Sequence, residues 1–386
     1  MDLKGMQLGA VFPHNEIGTN PADIKAFAQG VEALGISHLL IYDHVLGADP
    51  DREGGFRGPY DKDVAFHEPL TTFAFIAAVT ERLEMITTIM ILPQRQTVLA
   101  AKQAAQVALL SNNRFKLGIG VGWNEVEYVG LNEEFSNRGK RQSEQVDLMR
   151  RLWSEDSLDY HGEYHRIDKA SIKPRPSKDI PIWFGGSAPA LLDRCAKLGD
   201  GWIPLMGANE KAQACIDRIK QGREEQGKSM DDFGIQAQAQ YAGGSPERWL
   251  KHAKAWQDMG CTHLAIATHN AGETNVDGHL ARIAEYQAAL RDQPHLTSGG
   301  SYDSYAAACV TIKASKRCSS FSSVRANTGT TIWSAPMAAY SARVSGVTGW
   351  RFGPTMTCSS ERRRPLPDKA ASKLFSFSAK SAGVRS

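Results

Sequence analysis

Arg114-Phe115-Lys116-Leu117-Gly118-Ile119-Gly120-Val121-Gly122-Trp123-Asn124 begins as a strand and ends as a loop. Leu117, Ile119 and Val121 alternate with glycines, so the backbone itself lies open on one side. Glycine weakens a strand, and three in alternation mark the close approach of another backbone or of a flat ligand. Trp123 and Asn124 follow at once, one a large flat surface and the other a fork of hydrogen-bonding groups. Two readings are open: the floor of a binding site, or a barrel strand whose glycines make room for a neighbour.

On either side of this stretch the chain alternates between apolar runs and helical patterns. Met6–Pro13 reads as a strand and Pro21–Leu34 as a helix, with Asn20 as N-cap and Pro21 at its first position. His38–Val45 is a second strand, followed by a long polar loop, Leu46–Phe66, and a helix over Glu68–Thr80. Leu83–Pro93 is a near-continuous apolar strand, as in a parallel sheet covered on both faces. Thr97–Leu110 is helical, the glycine stretch is the fourth strand, and Arg138–Trp153 is the fourth helix. Asp159–Ile167 then breaks the rhythm with a small hairpin.

The alternation resumes with strands at Pro181–Phe184, Gly201–Pro204, Phe233–Ala242 and His263–Thr268. Helices at Pro189–Leu198, Glu210–Gln226, Pro246–Met259 and Val276–Arg291 follow them in turn. Eight strand-helix units over about 290 residues predict a parallel sheet closed into a (β/α)8 TIM barrel, an α/β fold. A doubly wound open sheet is the alternative, but no strand–Gly-x-Gly-x-x-Gly–helix unit stands near the start.

In such a barrel the chemistry sits on loops after the strands' carboxyl ends. Tyr42-Asp43-His44 follows strand two, and a His there can exchange a proton while a carboxylate beside it fixes its tautomer. Taken alone, such a His could equally hydrogen-bond a loop carbonyl. Gln94 and Arg95 follow strand three, as amide and cation for a cofactor or as an ion pair at the rim. Gly185-Gly186-Ser187 follows strand five and leads into a helix, which suits a phosphate through free backbone N–H groups and a helix amino end. Arg138, Lys140 and Arg141 open helix four nearby, as a phosphate-side cluster or a solvated face.

The 386 residues are 42% hydrophobic and 23% charged, a normal composition for a soluble globular protein. The net charge of +3 is unevenly spread. Residues 297–386 hold thirteen basic and three acidic residues, while residues 1–296 hold 32 basic and 39 acidic. The mildly acidic body gives no nucleic-acid surface, and no apolar run is long enough to span a bilayer. With no secretory signal pattern at the amino terminus, a cytoplasmic location is expected. The six cysteines form no Cys-x-x-Cys pair, His161 and His165 lie on a hairpin pattern, and no metal site is expected.

Together these residues resemble the bacterial luciferase-like superfamily of flavin- and deazaflavin-dependent oxidoreductases, over about residues 6–290. The carriers are Tyr42-Asp43-His44, Leu92-Pro93-Gln94-Arg95, the glycine run through Trp123-Asn124, Arg138-Gly139-Lys140-Arg141 near Glu144, and Trp183-Phe184-Gly185-Gly186-Ser187. The glycine run with its downstream Arg-Gly-x-Arg is most similar to the branch that uses coenzyme F420.

The resemblance implies a luciferase-like barrel with the cofactor's tricyclic ring at its mouth and His44, beside Asp43, as the catalytic group. It places cofactor contacts at Thr88 and Ile89, where relatives carry a bulge with a non-proline cis peptide, and at Gln94 and Arg95. Further contacts fall at Gly120, Gly122, Trp123, Asn124, Gly185, Gly186 and Ser187. The hairpin matches the family's insertion between strands four and five. A small-molecule substrate and a homodimer are expected.

One departure stands out. Sugar-phosphate dehydrogenases of this group keep a glutamate just past the glycine run, where this chain has Trp123.

The function expected is hydride transfer between F420 and a small organic substrate. The alternative is an FMN-dependent two-component monooxygenase fed by a separate reductase, and a third reading is a barrel that binds flavin without turnover. Residues 297–386 carry 26 Ser/Thr, three cysteines and Arg362-Arg363-Arg364 with little periodicity, and read as a disordered or non-homologous tail after a barrel at 1–296.

Overall fold

The computed structural model describes residues 5–291, so the tail and the boundary drawn at residue 296 lie outside the described residues. Eleven strands and nine α-helices are found there, with a one-turn 3-10 helix at Leu92–Gln94.

The barrel staves are β1 (Gln7–Val11), β2 (His38–Ile41), β3 (Glu84–Thr87) with β4 (Met90–Ile91), β5 (Phe115–Gly120), β8 (Ile182–Gly185), β9 (Gly201–Ile203), β10 (Gly234–Gln240) and β11 (His263–Ala267). All pair in parallel, in the order β3-β2-β1-β11-β10-β9-β8-β5, and β5 pairs back to β3 to close the ring. This is the eight-stave TIM barrel expected from the alternation. The hairpin forms the separate antiparallel pair β6 (Leu158–His161) and β7 (Arg166–Ala170). Glu144 pins it by accepting the backbone N–H groups of Glu163, Tyr164 and His165.

Local signals set most helix ends. Asn20 accepts the Ala22 N–H at the start of α1 (Pro21–Ala33), and Glu68 caps α2 (Pro69–Val79) through Thr71. α3 (Thr97–Leu110) and α9 (Val276–Arg291) fall where the sequence pattern placed them. Two expectations need correction. The third strand is not continuous: it breaks after Thr87, crosses a cis peptide at Thr88–Ile89, and resumes as β4. A short helix, α4 (Glu125–Gly130), stands where a loop was expected, capped by Asn124 through Val126 N. α5 is Arg138–Ser154, α6 Pro189–Leu198, α7 Glu210–Glu224 and α8 Pro246–Asp258.

The barrel interior is filled in layers, large side chains facing small ones. At the amino end His38, His263 and Trp183 fill the floor opposite Gly9, Gly201 and Gly234, where an added Cβ would overlap their rings. Lys116 pairs with Glu84 beside them. Val11, Leu40, Ile86, Ala265 and Ala267 form the next, apolar layer. Above it the staves end in the mouth. No helix among the described residues is long and apolar enough to cross a membrane.

The floor makes stability pH-dependent. Burial pulls His263 down to about 3, with Lys116 adding to the effect, and burial together with His263 holds His38 well below the ordinary imidazole range. A depressed histidine pKa means that the unfolded chain takes up protons first as pH falls. The contribution is complete above the unfolded value near 6.5 and is lost from there down towards the folded values. Between pH 6.5 and 5 the loss should reach about 2 kcal/mol for His263, with His38 acting in the same direction. A urea midpoint unchanged between pH 7.5 and pH 5 would show that the floor is not buried and neutral.

Candidate active site

A cavity of about 960 Å³ opens at the carboxyl mouth, within the size range of small-molecule and cofactor sites. Its wall includes Asp43, His44, Thr88, Ile89, Gly122, Trp123, Gly185, Gly186 and Ser187. Nine of the residues picked from the sequence therefore meet at one opening. Gln94, Arg95, Gly120 and Asn124 do not border it.

His44 follows β2 and turns Nδ1 towards Glu127, 3.0 Å away. The Glu127 side chain is 1% exposed, and its carboxylate is fully engaged. Oε1 also accepts the Val45 and Leu46 N–H groups at 3.1 and 3.3 Å, and Oε2 accepts Gln94 Nε2 at 3.0 Å. Burial alone would raise the Glu127 pKa, but the hydrogen bonds from His44 and Gln94 outweigh it and hold the carboxyl below its ordinary value. An ionised carboxylate at Nδ1 fixes the ring proton there, leaving Nε2 as the nitrogen free to exchange a proton.

Asp43 does not fix the His44 tautomer, contrary to the reading of the two as neighbours. Its Oδ1 accepts Arg95 Nη2 at 2.7 Å and its Oδ2 accepts the Ile91 N–H at 3.0 Å, so it ties the β2 end to β4. Arg95 also reaches Glu68 at 3.1 Å, and is an ion-pair residue of the rim. Asn124 is buried as the cap of α4.

The glycine run is now placed. A Cβ on Gly118 would overlap the Thr87 carbonyl oxygen, and a Cβ on Gly120 would overlap Ile89 Cδ1. On Gly185 it would stand 2.5 Å from Ile89 Cγ2. The glycines of β5 and β8 thus make room for the broken third stave, and Ile89, seated between them, forms part of the cavity wall. The glycines make room for a neighbour, and that neighbour, Ile89, borders the cavity.

Ser187 and Ala188 are exposed where β8 passes into α6, and α6 starts without a side-chain cap. Its first amides are therefore left to solvent or ligand. The cations opening α5 face elsewhere. Arg141 donates to Pro93 O and pairs with Glu133, while Arg138 stacks on Phe135.

Aromatic rings roof the opposite side. Tyr60 and Phe66 of the long loop lie 5.0 and 4.8 Å from the His44 ring, centroid to centroid. Trp123, 47% exposed, sets its edge towards His44 and stacks on Phe56. Tyr42 donates to Gln238 Oε1 across the mouth at 2.8 Å. No group of three or more His, Cys, Asp or Glu side chains suited to a metal ion occurs among the described residues. Cys195, Cys215 and Cys261 are buried free thiols.

Sequence reading missed Glu127 as the partner of His44. Asn124-x-x-Glu127 has the spacing of an N-cap and its third helical residue, which would have signalled α4. The partnership itself spans 83 residues and has no local signature.

A closed eight-stave barrel with a bulged third stave, an oriented imidazole at its mouth and a glycine-rich turn entering a helix has the architecture of a barrel enzyme with its site at the carboxyl end. The chain belongs to the luciferase-like monooxygenase family, whose model matches residues 2–310. An uncharacterized Mycobacterium tuberculosis protein is 36% identical over 227 residues, covering 56% of this chain and 77% of that one. An F420-dependent glucose-6-phosphate dehydrogenase of Mycobacterium avium is 30% identical over 254 residues, covering 63% and 71%. Among solved structures, an F420-dependent secondary alcohol dehydrogenase bound to an F420-acetone adduct superposes with a TM-score of 0.61 at 16% identity, covering 74% of this chain and 99% of that one. These likenesses make the chain an oxidoreductase of the luciferase-like family.

Proposed function

We propose that the chain transfers a hydride between coenzyme F420 and a small organic substrate in the mouth cavity. The observation that carries this reading is the His44–Glu127 pair set in the same wall as Ile89 and the Gly185-Gly186-Ser187 turn. The residues present fit the cofactor. Ile89 and Gly122 would back a flat ring, and the uncapped start of α6 with Ser187 would hold its phosphate. Bound F420 supplies a deazaflavin ring that gives or accepts a hydride.

The chain's own groups supply the rest. Glu127 holds the proton on Nδ1, so His44 gives or takes a proton at Nε2 on the substrate side. Trp123, Tyr60 and Phe66 exclude water around that nitrogen, with loop 46–66 as a lid. The named activity of the Mycobacterium avium relative supports the cofactor, while Trp123, standing where the resemblance puts the glutamate of sugar-phosphate dehydrogenases, speaks against a sugar-phosphate substrate.

The family match, described as a monooxygenase, favours one second reading: reduced FMN in the same cavity, delivered by a separate reductase. Fluorescence titration of the purified protein with F420 and with FMN separates the two. Micromolar or tighter F420 binding is expected; FMN binding alone would overturn the first reading.

A further inference from the structure

The wall after β10 carries a second donor set that chemistry at His44 does not use. α8 turns Arg248, Trp249 and His252 to the cavity, spaced so that they share one helix face. Trp249 is 5% exposed, and its indole Nε1–H is buried without a hydrogen-bond partner. The ring lies on Gly244, a residue of the same wall, where any Cβ would overlap Nε1. An indole N–H can only donate, so it needs an acceptor that the protein does not provide.

His252 presents a second such donor. Its Nε2 accepts Trp256 Nε1–H at 3.2 Å, which places the ring proton on Nδ1, and Nδ1 is buried without a partner. Burial lowers the pKa of this ring and keeps it neutral. The exposed Arg248 guanidinium uses one N–H on Gly243 O at 3.2 Å and keeps its charge for the cavity. Glu247, the nearest acid in sequence, does not border the cavity and accepts the Ser245 hydroxyl at 2.8 Å. The two carboxylates in the wall are held by Arg95 and His44. Buried donors without acceptors are rare in native proteins and call for a ligand or solvent partner.

We propose that Arg248, Trp249 and His252 form an anion subsite for a carboxylate or phosphate group of a molecule bound in the mouth. It lies after β10, two staves from the Gly185-Gly186-Ser187 turn after β8, and is separate from it. The group belongs to the substrate or to the acidic tail of the cofactor. The inference builds on the proposed reading of the cavity, but its test does not need a cofactor.

Inorganic phosphate, and then acetate, are titrated into the ¹⁵N-indole-labelled full chain, with the Trp249 resonance assigned through Trp249→Phe. A saturable shift of that one resonance is expected, weakened on the order of tenfold in Arg248→Gln. No shift with either anion, or an undiminished response in Arg248→Gln, overturns the subsite. Repeating the titration on protein saturated with whichever of F420 or FMN it binds identifies the source. A surviving response supports a substrate anion, and a response lost to F420 supports its tail. Failure of F420 to bind in the fluorescence titration would leave the apo-protein result standing.

Discussion

Turnover in Glu127→Ala should fall on the order of a hundredfold with little change in KM, matching most of the loss in His44→Ala. The Glu127 side chain is 1% exposed and both its oxygens are held, one by His44, Val45 and Leu46 and the other by Gln94. Removing it frees the imidazole to rotate or to change tautomer, and leaves two loop amides beside His44 without acceptors. The substrate would still bind, but the nitrogen that exchanges the proton would no longer be held. The double variant His44→Ala/Glu127→Ala should be no slower than His44→Ala alone, since the carboxylate acts through the ring.

Glu127→Gln separates positioning from simple collapse. Gln94 Oε1 is buried without a partner, so a flip of the Gln94 amide lets that oxygen accept from the NH2 of a glutamine at 127, whose own oxygen keeps His44, Val45 and Leu46. This variant should fold like the parent and retain more activity than Glu127→Ala. Wild-type turnover in Glu127→Ala would remove the pair from the mechanism.

What the sequence showed and what it hid divide by the range of the interactions. Asn20-Pro21, Pro189 and Pro246 act on their own turns, and the helices after them begin at those prolines. The barrel followed because eight such local units leave few other closures. The break in the third stave was invisible to hydrophobic pattern. Met85, Ile86, Met90 and Ile91 are all buried, so an apolar run reads the same whether the stave is whole or broken. Only the resemblance pointed to the Thr88–Ile89 bulge.

The site residues show the same limit. Adjacency suggested Asp43 for His44, and left Arg95 open to a cofactor or to an acid at the rim. In the fold Asp43 and Arg95, 52 residues apart, satisfy each other, and His44 finds a glutamate 83 residues away. Trp249 and His252 read as ordinary helix residues, since an unpaired N–H becomes evident only once the neighbours are known.

The glycine run can be tested one residue at a time. Gly118→Ala should cost about 3 kcal/mol or more, because the added methyl meets the Thr87 backbone carbonyl and stands 2.7 Å from Ile203 Cδ1. A carbonyl of the sheet cannot rotate away as a side chain can, and Thr87 is further held by its hydroxyl, which donates to Gly118 O at 2.7 Å. Gly120→Ala differs, since its methyl meets only the tip of Ile89. That side chain can turn, at about 1 kcal/mol, but only by leaving its seat between Gly120 and Gly185 and changing the cavity wall. Gly118→Ala should therefore lose its urea midpoint, whereas Gly120→Ala should keep most of it and bind the cofactor several-fold more weakly. A parental midpoint in Gly118→Ala would show that β5 and the broken stave are not in close contact. Parental cofactor affinity in Gly120→Ala would show that Ile89 is not part of the ring's seat, and the glycines would then serve packing alone.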